Sequence, residues 1–341
     1  MAVGIGAEQV AAGEPVLGAT RPGLPTRRQR ALRLPRSPKI IAGLALLALF
    51  VLWAVIGPWV RPYSPEQVFA NAPLPLPPSG AHWLGTTQAQ QDVFSQMLVG
   101  GGDMLLVSLV AGVIATALSV VIGITAGYLG GLADDLLSML ANIFLVMPAL
   151  PLLVILFGFL GKSGSNDLFL VGLIISVTGW AWGARVLRAQ TLSLRNRDYV
   201  DSARIIGERK SRIIFSEILP NLTPIVASSF LFTVLYAVGT YTAMAFLGLV
   251  NPNWNWGGIL FYAAGDTAAV SGYWWWYIPP GLAVALLGTS LVLLNFGIDE
   301  FINPRLRAAG LTRRSGGRRA GRKLRSQQFG LTPVIREGDE A

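Results

Sequence analysis

The chain of 341 residues is 52% apolar and only 13% charged, a balance that excludes an ordinary water-soluble globule. It has no cysteine, which removes disulfides and thiolate metal sites, and a single histidine, His82, which leaves little material for imidazole catalysis. The net charge of +9 would point to nucleic acid in a soluble protein, but the lysines and arginines gather beside apolar runs and so indicate membrane orientation.

Residues 1–39 are rich in Gly, Pro, Ala and Arg without helical periodicity and read as a disordered basic cytoplasmic tail, either setting orientation or resting on anionic lipid. Residues 40–60 form the first of six runs long enough to cross a hydrocarbon core, which takes about 20 helical residues. A cleaved signal peptide is the alternative. The run is longer than an ordinary signal core, however, and the small-residue site Ala70-Asn71-Ala72 lies well past its end. Pro62, Pro65, Pro73, Pro75, Pro77 and Pro78 keep 61–103 from being a regular helix, and it reads as an external loop. The second run, 104–128, spaces Ser108, Gly112, Thr116, Ser119 and Gly123 at intervals of three or four, a stripe that lets another helix come close. A glycine turn at 127–131 leads to the third run, 136–160, where Pro148 predicts a kink and freed carbonyls at membrane depth.

The fourth run, 168–187, is followed by a charged insert, then by the fifth run, 225–250, and the sixth, 278–298. A basic tail, 304–341, comes last. Basic residues crowd 1–39, 185–212 and 304–341, whereas 61–103 has only Arg61, the segment after the third run only Lys162, and 251–277 none. By the positive-inside rule both termini and the insert face the cytoplasm. No charged residue falls near the middle of any run, which lowers the standing of an ion-coupled carrier or channel as an alternative class.

The insert, 198–220, is patterned as a helix. Asp198 and Asp201 stand near its start, where negative charge complements the helix dipole. Tyr199, Ala203 and Ile206 form a small apolar ridge, Gly207 permits a bend or close contact, and Pro220 and Pro224 re-initiate the next span. Such a helix suits either a groove in a partner protein or the surface of anionic lipid. In the fifth run Ser229, Thr233, Tyr236 and Thr240 put hydroxyls on one helix face, either lining a polar path or bonding to neighbouring helices. Trp254, Trp256, Trp274, Trp275 and Trp276 crowd the last external loop, as an interfacial belt or as stacking surfaces for sugar rings.

Asp201-Ser202-Ala203, three residues, Gly207 and then Leu219-Pro220 resemble the E-A-A-x-x-x-G…L-P loop of ABC importer permeases. Asp replaces Glu, Ser replaces the first Ala, and Glu217 stands where an apolar residue or histidine is common. The stretch 81–307 resembles the dipeptide/oligopeptide/nickel branch of that family through Ala81-His82-Trp83-Leu84-Gly85-Thr86 with Asp92, the 127–131 turn, Met147-Pro148, Phe246-Leu247-Gly248-Leu249 and Asn303-Pro304-Arg305-Leu306-Arg307. The resemblance implies an all-α, six-helix bundle of the type I importer permease kind. Its core would be 104–303, with a cytoplasmic coupling helix in the loop 195–220, in a bacterial or archaeal cytoplasmic membrane. It implies, as partners, a second homologous permease chain in a heterodimer, two ATPase subunits that Asp198, Tyr199, Asp201, Ser202, Ala203, Gly207, Leu219 and Pro220 would meet, and an external solute-binding protein. No G-x-x-x-x-G-K-[ST] phosphate loop occurs, so ATP and Mg would reside on the ATPases, and this chain would bind no cofactor or metal. Di- or oligopeptides are the first cargo that the resemblance implies, and oligosaccharides the second.

Overall fold

The computed structural model describes residues 38–69, 75–164, 166–250 and 254–302. The expected basic tails, save residues 38 and 39, the site at 70–72 and the motif at 303–307 lie outside them. Among the described residues, five helices are long and apolar enough to cross a membrane, or six when one bent pair counts as a single span.

Helix α1 (Pro38–Val60) lies against α2 (Val93–Leu129) and α10 (Trp274–Ile302). An ion pair of 3.7 Å from Lys39 to Glu300 ties its start to the end of α10. The proline-rich segment ends at Asp92 rather than at residue 103, because Asp92 caps α2: its Oδ2 accepts from the Ser95 N–H at 2.7 Å. The second run was expected to start at 104, and the three glycines before it, 100–102, weaken helix in isolation. Here they are held by packing, Gly100 against the Trp254 backbone and Gly101 against Trp53 and Trp256. At 37 residues α2 is about 55 Å long, well beyond a hydrocarbon core of about 30 Å. Its small-residue stripe does what its spacing predicts. Gly112 admits Val234 of α8 (Leu219–Phe246), Gly123 admits the backbone of Ala184 in α5 (Leu168–Leu194), and Ser119 Oγ donates to the Trp180 carbonyl at 2.6 Å.

The third run is not one helix. It divides into α3 (Gly131–Val146) and α4 (Ala149–Gly164), which meet at 91°. Proline has no N–H to donate and drives the residue before it out of helical geometry, and Met147 accordingly takes ψ 131. The insert folds as α6 (Asp198–Ile205), a three-residue turn α7 (Lys210–Arg212) and a π-helical turn, Ile213–Ile218, that runs straight into α8. The helical path to Phe246 therefore begins at Lys210, and Pro220 lies within it rather than opening a span after a loop. A short α9 (Trp256–Gly265) precedes α10. Trp274, Trp275 and Trp276, expected in a loop, form the first turn of α10.

Candidate functional site: the α6 platform and the groove above it

The first turn of α6 holds both acids of the motif. Ser202 Oγ donates to the Asp198 carbonyl at 2.7 Å, and Arg204 bridges to Asp201 at 2.9 Å while its guanidinium lies 5.2 Å from the centre of the Tyr128 ring. The apolar side chains of the insert divide into two sets. Val200 and Ala203 are buried with Ile124 and Tyr128 of α2, Leu187 of α5, Ile213 and Ile218 of the π turn, and Leu222 of α8, and Leu219 packs on the edge of this cluster. They seat α6 on the ends of the bundle. Ile205 and Ile206 point the other way and are 87% and 81% exposed; Phe215 is 62% exposed.

The expected ridge of Tyr199, Ala203 and Ile206 is thus corrected. Ala203 faces the bundle, Tyr199 is partly exposed and receives a long hydrogen bond of 3.5 Å from Asn221, and the outward apolar pair is Ile205 with Ile206. The helix stops at Ile205, so the following residue leaves the regular wheel on which the ridge was drawn. Gly207, at φ +82, closes the end: its N–H donates to the Arg204 carbonyl at 3.0 Å, and the Glu208 N–H to the Ala203 carbonyl at 3.1 Å. This double bond is the Schellman cap, which needs a left-handed residue. A Cβ on Gly207 would meet nothing within 4 Å, so backbone conformation and not space selects glycine within this chain. Pro220 is exposed beside this cap-and-turn assembly.

Higher in the bundle, a groove of about 460 Å³ opens at the α3–α4 bend between α5 and α8, with Phe144, Met147, Thr178, Trp182, Thr233 and Tyr236 among its walls. The Thr178 and Tyr236 hydroxyls lie 2.8 Å apart across it. Of the four predicted hydroxyl residues, Thr233 and Tyr236 reach this groove. Ser229 and Thr240 are buried away from it, and Thr233 Oγ1 donates to the Ser229 carbonyl at 2.8 Å. That bond lies within α8, whereas the Tyr236 contact with Thr178 joins α8 to α5.

The aromatic cluster is corrected more strongly. Trp256 and Trp276 are each 1% exposed and Trp275 is buried, so none offers a free ring face to a solute. Trp256 Nε1 donates to the Met97 carbonyl at 3.1 Å and Trp275 Nε1 to the Thr86 carbonyl at 3.3 Å. Only Trp274, half-exposed, and Trp254, partly so, keep surface for the interface or a ligand.

Two polar pairs carried no signal strong enough for the sequence to assign. His82 Nδ1 meets Asp92 Oδ1 at 2.9 Å between the Tyr63 and Phe69 rings, locking the proline-rich segment to the cap of α2. Asp134 of α3 receives Arg188 Nη2 of α5 at 2.8 Å, beside a second cleft of about 220 Å³. Asp103 is a further correction. It stood outside the expected second run, but it lies inside α2. Among the described residues, no three His, Cys, Asp or Glu side chains gather as a metal site would require.

A long bundle with one broken span, a mostly apolar groove carrying two hydroxyls at the break and a short helix seated across the ends of three others is the architecture of a helical transport subunit. Residues 119–308 match the family described as binding-protein-dependent transport system inner membrane component, and 26–78 match the N-terminal TM domain of oligopeptide transport permease C. The chain belongs to the first of these families, and its architecture is the type I importer permease fold. It is similar to the dipeptide transport system permease protein of Bacillus subtilis (strain 168), 30% identical over 289 residues that cover 84% of this chain and 88% of the relative. The oligopeptide transport system permease protein of Mycobacterium tuberculosis (strain ATCC 25618 / H37Rv) is 31% identical over 81% of this chain and 94% of its own. The probable D,D-dipeptide transport system permease protein of Escherichia coli (strain K12) is 31% identical over 84% and 95%. The protein is a multi-pass inner-membrane permease subunit, a transport component rather than an enzyme.

Proposed function

We propose that this chain forms half of the translocation pathway of an ATP-driven importer of di- and oligopeptides. A second homologous permease chain supplies the other half as a heterodimer, an external solute-binding protein delivers cargo, and two ATPase subunits hold the ATP and Mg. Both termini and α6 lie on the cytoplasmic side. The cargo reading rests on relatives named for dipeptide and oligopeptide transport.

The observation that carries the coupling role is the divided apolar surface of the insert: Val200 and Ala203 fixed to the bundle, Ile205 and Ile206 exposed. A short helix that is rigid against its own protein and apolar on its outer end suits a groove in a partner. Movement of that partner would pass through Val200 and Ala203 into α2, α5 and α8, and α5 and α8 carry the groove residues Thr178 and Tyr236. The sugar reading loses its main support, since three of the five tryptophans are buried.

Gly207→Leu tests the docking role. The left-handed backbone at Gly207 costs any other side chain roughly 1–2 kcal/mol, enough to reshape the cap that positions Ile205 and Ile206. Peptide uptake and ATPase co-purification should fall together at normal membrane abundance. Normal uptake would favour a lipid-resting helix instead.

A further inference from the structure

At the end of the bundle opposite α6, a third cavity, of about 230 Å³, is built from three separate parts of the chain. The segment before α2 and its first turn contribute Gln91 and Gln96, Trp254 and α9 contribute an indole and Tyr262, and Asp266 and Trp276 complete the wall. Its chemistry is specific. Asp266 makes no side-chain hydrogen bond or ion pair among the described residues, so its carboxylate stands without a cation. Trp276 is 1% exposed, and its buried Nε1–H has no acceptor among the described residues. Gln96 Nε2 donates to Gln91 Oε1 at 2.9 Å and to the Pro65 carbonyl at 3.3 Å, which fixes the amide wall.

The backbone adds an independent sign. Among the described residues, the non-glycine positions with positive φ are Gln90 at 58°, Trp254 at 60° and Thr267 at 54°. Each one lines this cavity or adjoins a residue that does. Bulky residues seldom adopt that conformation, and such outliers collect where a ligand must be met by a fixed geometry. Here the strain is held from outside: the Trp254 carbonyl is pressed against Gly100 of α2, and Asn255 Oδ1 accepts from the Gly258 N–H at 2.7 Å to start α9.

A free carboxylate among aromatic faces suits an ammonium ion, through charge and cation–π attraction together. An unpaired indole N–H next to it suits a carbonyl oxygen. We propose that this cavity binds the free amino end of a peptide, its α-ammonium at Asp266 beside the rings of Trp254 and Tyr262, and its first carbonyl toward the Trp276 indole N–H. The volume fits one terminal residue, being larger than a cavity of about 150 Å³ that accepts benzene. The site would select for a charged amino terminus at the outer mouth of the permease, and it rests on the peptide reading above.

The full permease, reconstituted with its partner subunits in lipid nanodiscs, is titrated with alanyl-alanine, N-acetyl-alanyl-alanine, n-butylammonium and n-butanol, with binding read by calorimetry and tryptophan fluorescence. Alanyl-alanine and n-butylammonium should bind, and the acetylated peptide and the alcohol should not. Asp266→Asn should weaken both cationic ligands about tenfold or more, since a charge-assisted contact is lost, while Asp266→Glu retains binding. Thermal unfolding of each variant confirms that the exposed substitution leaves the fold intact. Equal binding of the acetylated peptide, or no effect of Asp266→Asn, overturns the proposal. Binding of n-butylammonium without alanyl-alanine overturns the peptide as occupant. The n-butylammonium arm does not depend on cargo, so failure of peptide uptake in the whole importer would count against the transport reading and leave this arm to judge the site.

Discussion

The two ends of the bundle treat apolar side chains in opposite ways. At the α6 end a charge-rich segment leaves Ile205 and Ile206 almost fully exposed. At the other end a segment dense in tryptophan buries Trp256, Trp275 and Trp276, with Trp256 against Phe50 and Trp53 at ring separations of 5.7 and 6.3 Å. Burial at each end is therefore set by tertiary packing rather than by how apolar the local segment is. The tryptophan-rich end is held together by aromatic packing and carries a small cavity with Gln91, Gln96 and Asp266 in its wall. The α6 end uses Val200 and Ala203 to seat α6 and leaves Ile205 and Ile206 on a surface that the bundle does not cover.

The largest expected effect separates these roles. Trp256→Ala removes a buried ring and leaves the Met97 carbonyl without one of its two indole donors, the other being Trp53. Truncations of that size cost about 3–5 kcal/mol, so membrane abundance and the thermal midpoint should both fall sharply. Unchanged stability would mean that the outer aromatics are not structural. Next comes the double substitution Ile205→Asp, Ile206→Asp. Both side chains are already in water, so thermal stability should stay nearly constant, whereas ATPase co-purification and uptake should be lost. A fall in stability without loss of the ATPase would erase the proposed contrast. The smallest effect belongs to the groove. Tyr236→Phe deletes the 2.8 Å contact with Thr178, worth on the order of 0.6 kcal/mol for a hydrogen bond between membrane helices. It should leave abundance and ATPase association intact and shift the apparent affinity for peptide in uptake assays. No change in affinity would place the hydroxyl pair in packing alone.

Much of this could be read from the residues themselves. Apolar runs of sufficient length located the spans, because a hydrocarbon core demands helix wherever chain crosses it. The small-residue stripe in α2 foretold close neighbours, and Pro148 foretold a break, since both act through local covalent geometry. Asp201, Ser202, Ala203 and Gly207 came to notice through their resemblance to a family motif. What the residues could not reveal was direction. Whether Ala203 or Ile205 faces the bundle depends on where α6 ends and what lies beneath it, and that is set by Ile124, Leu187 and Leu222, from three other helices. The start of α2 was hidden for the same reason. Glycines at 100–102 disfavour helix locally, and only the capping carboxylate of Asp92 with the backbone at Trp254 overrides them. The ion pair of Asp134 with Arg188 joins residues 54 apart in the chain. The cavity at Asp266 joins segments still farther apart, around residues 91, 262 and 276. Periodicity and propensity act over a few residues, so the sequence by itself determined the spans, their breaks and the motif. Contacts between distant segments exist only once the helices pack, and so only the tertiary structure decided which side chains were buried, which were left exposed, and where cavities formed.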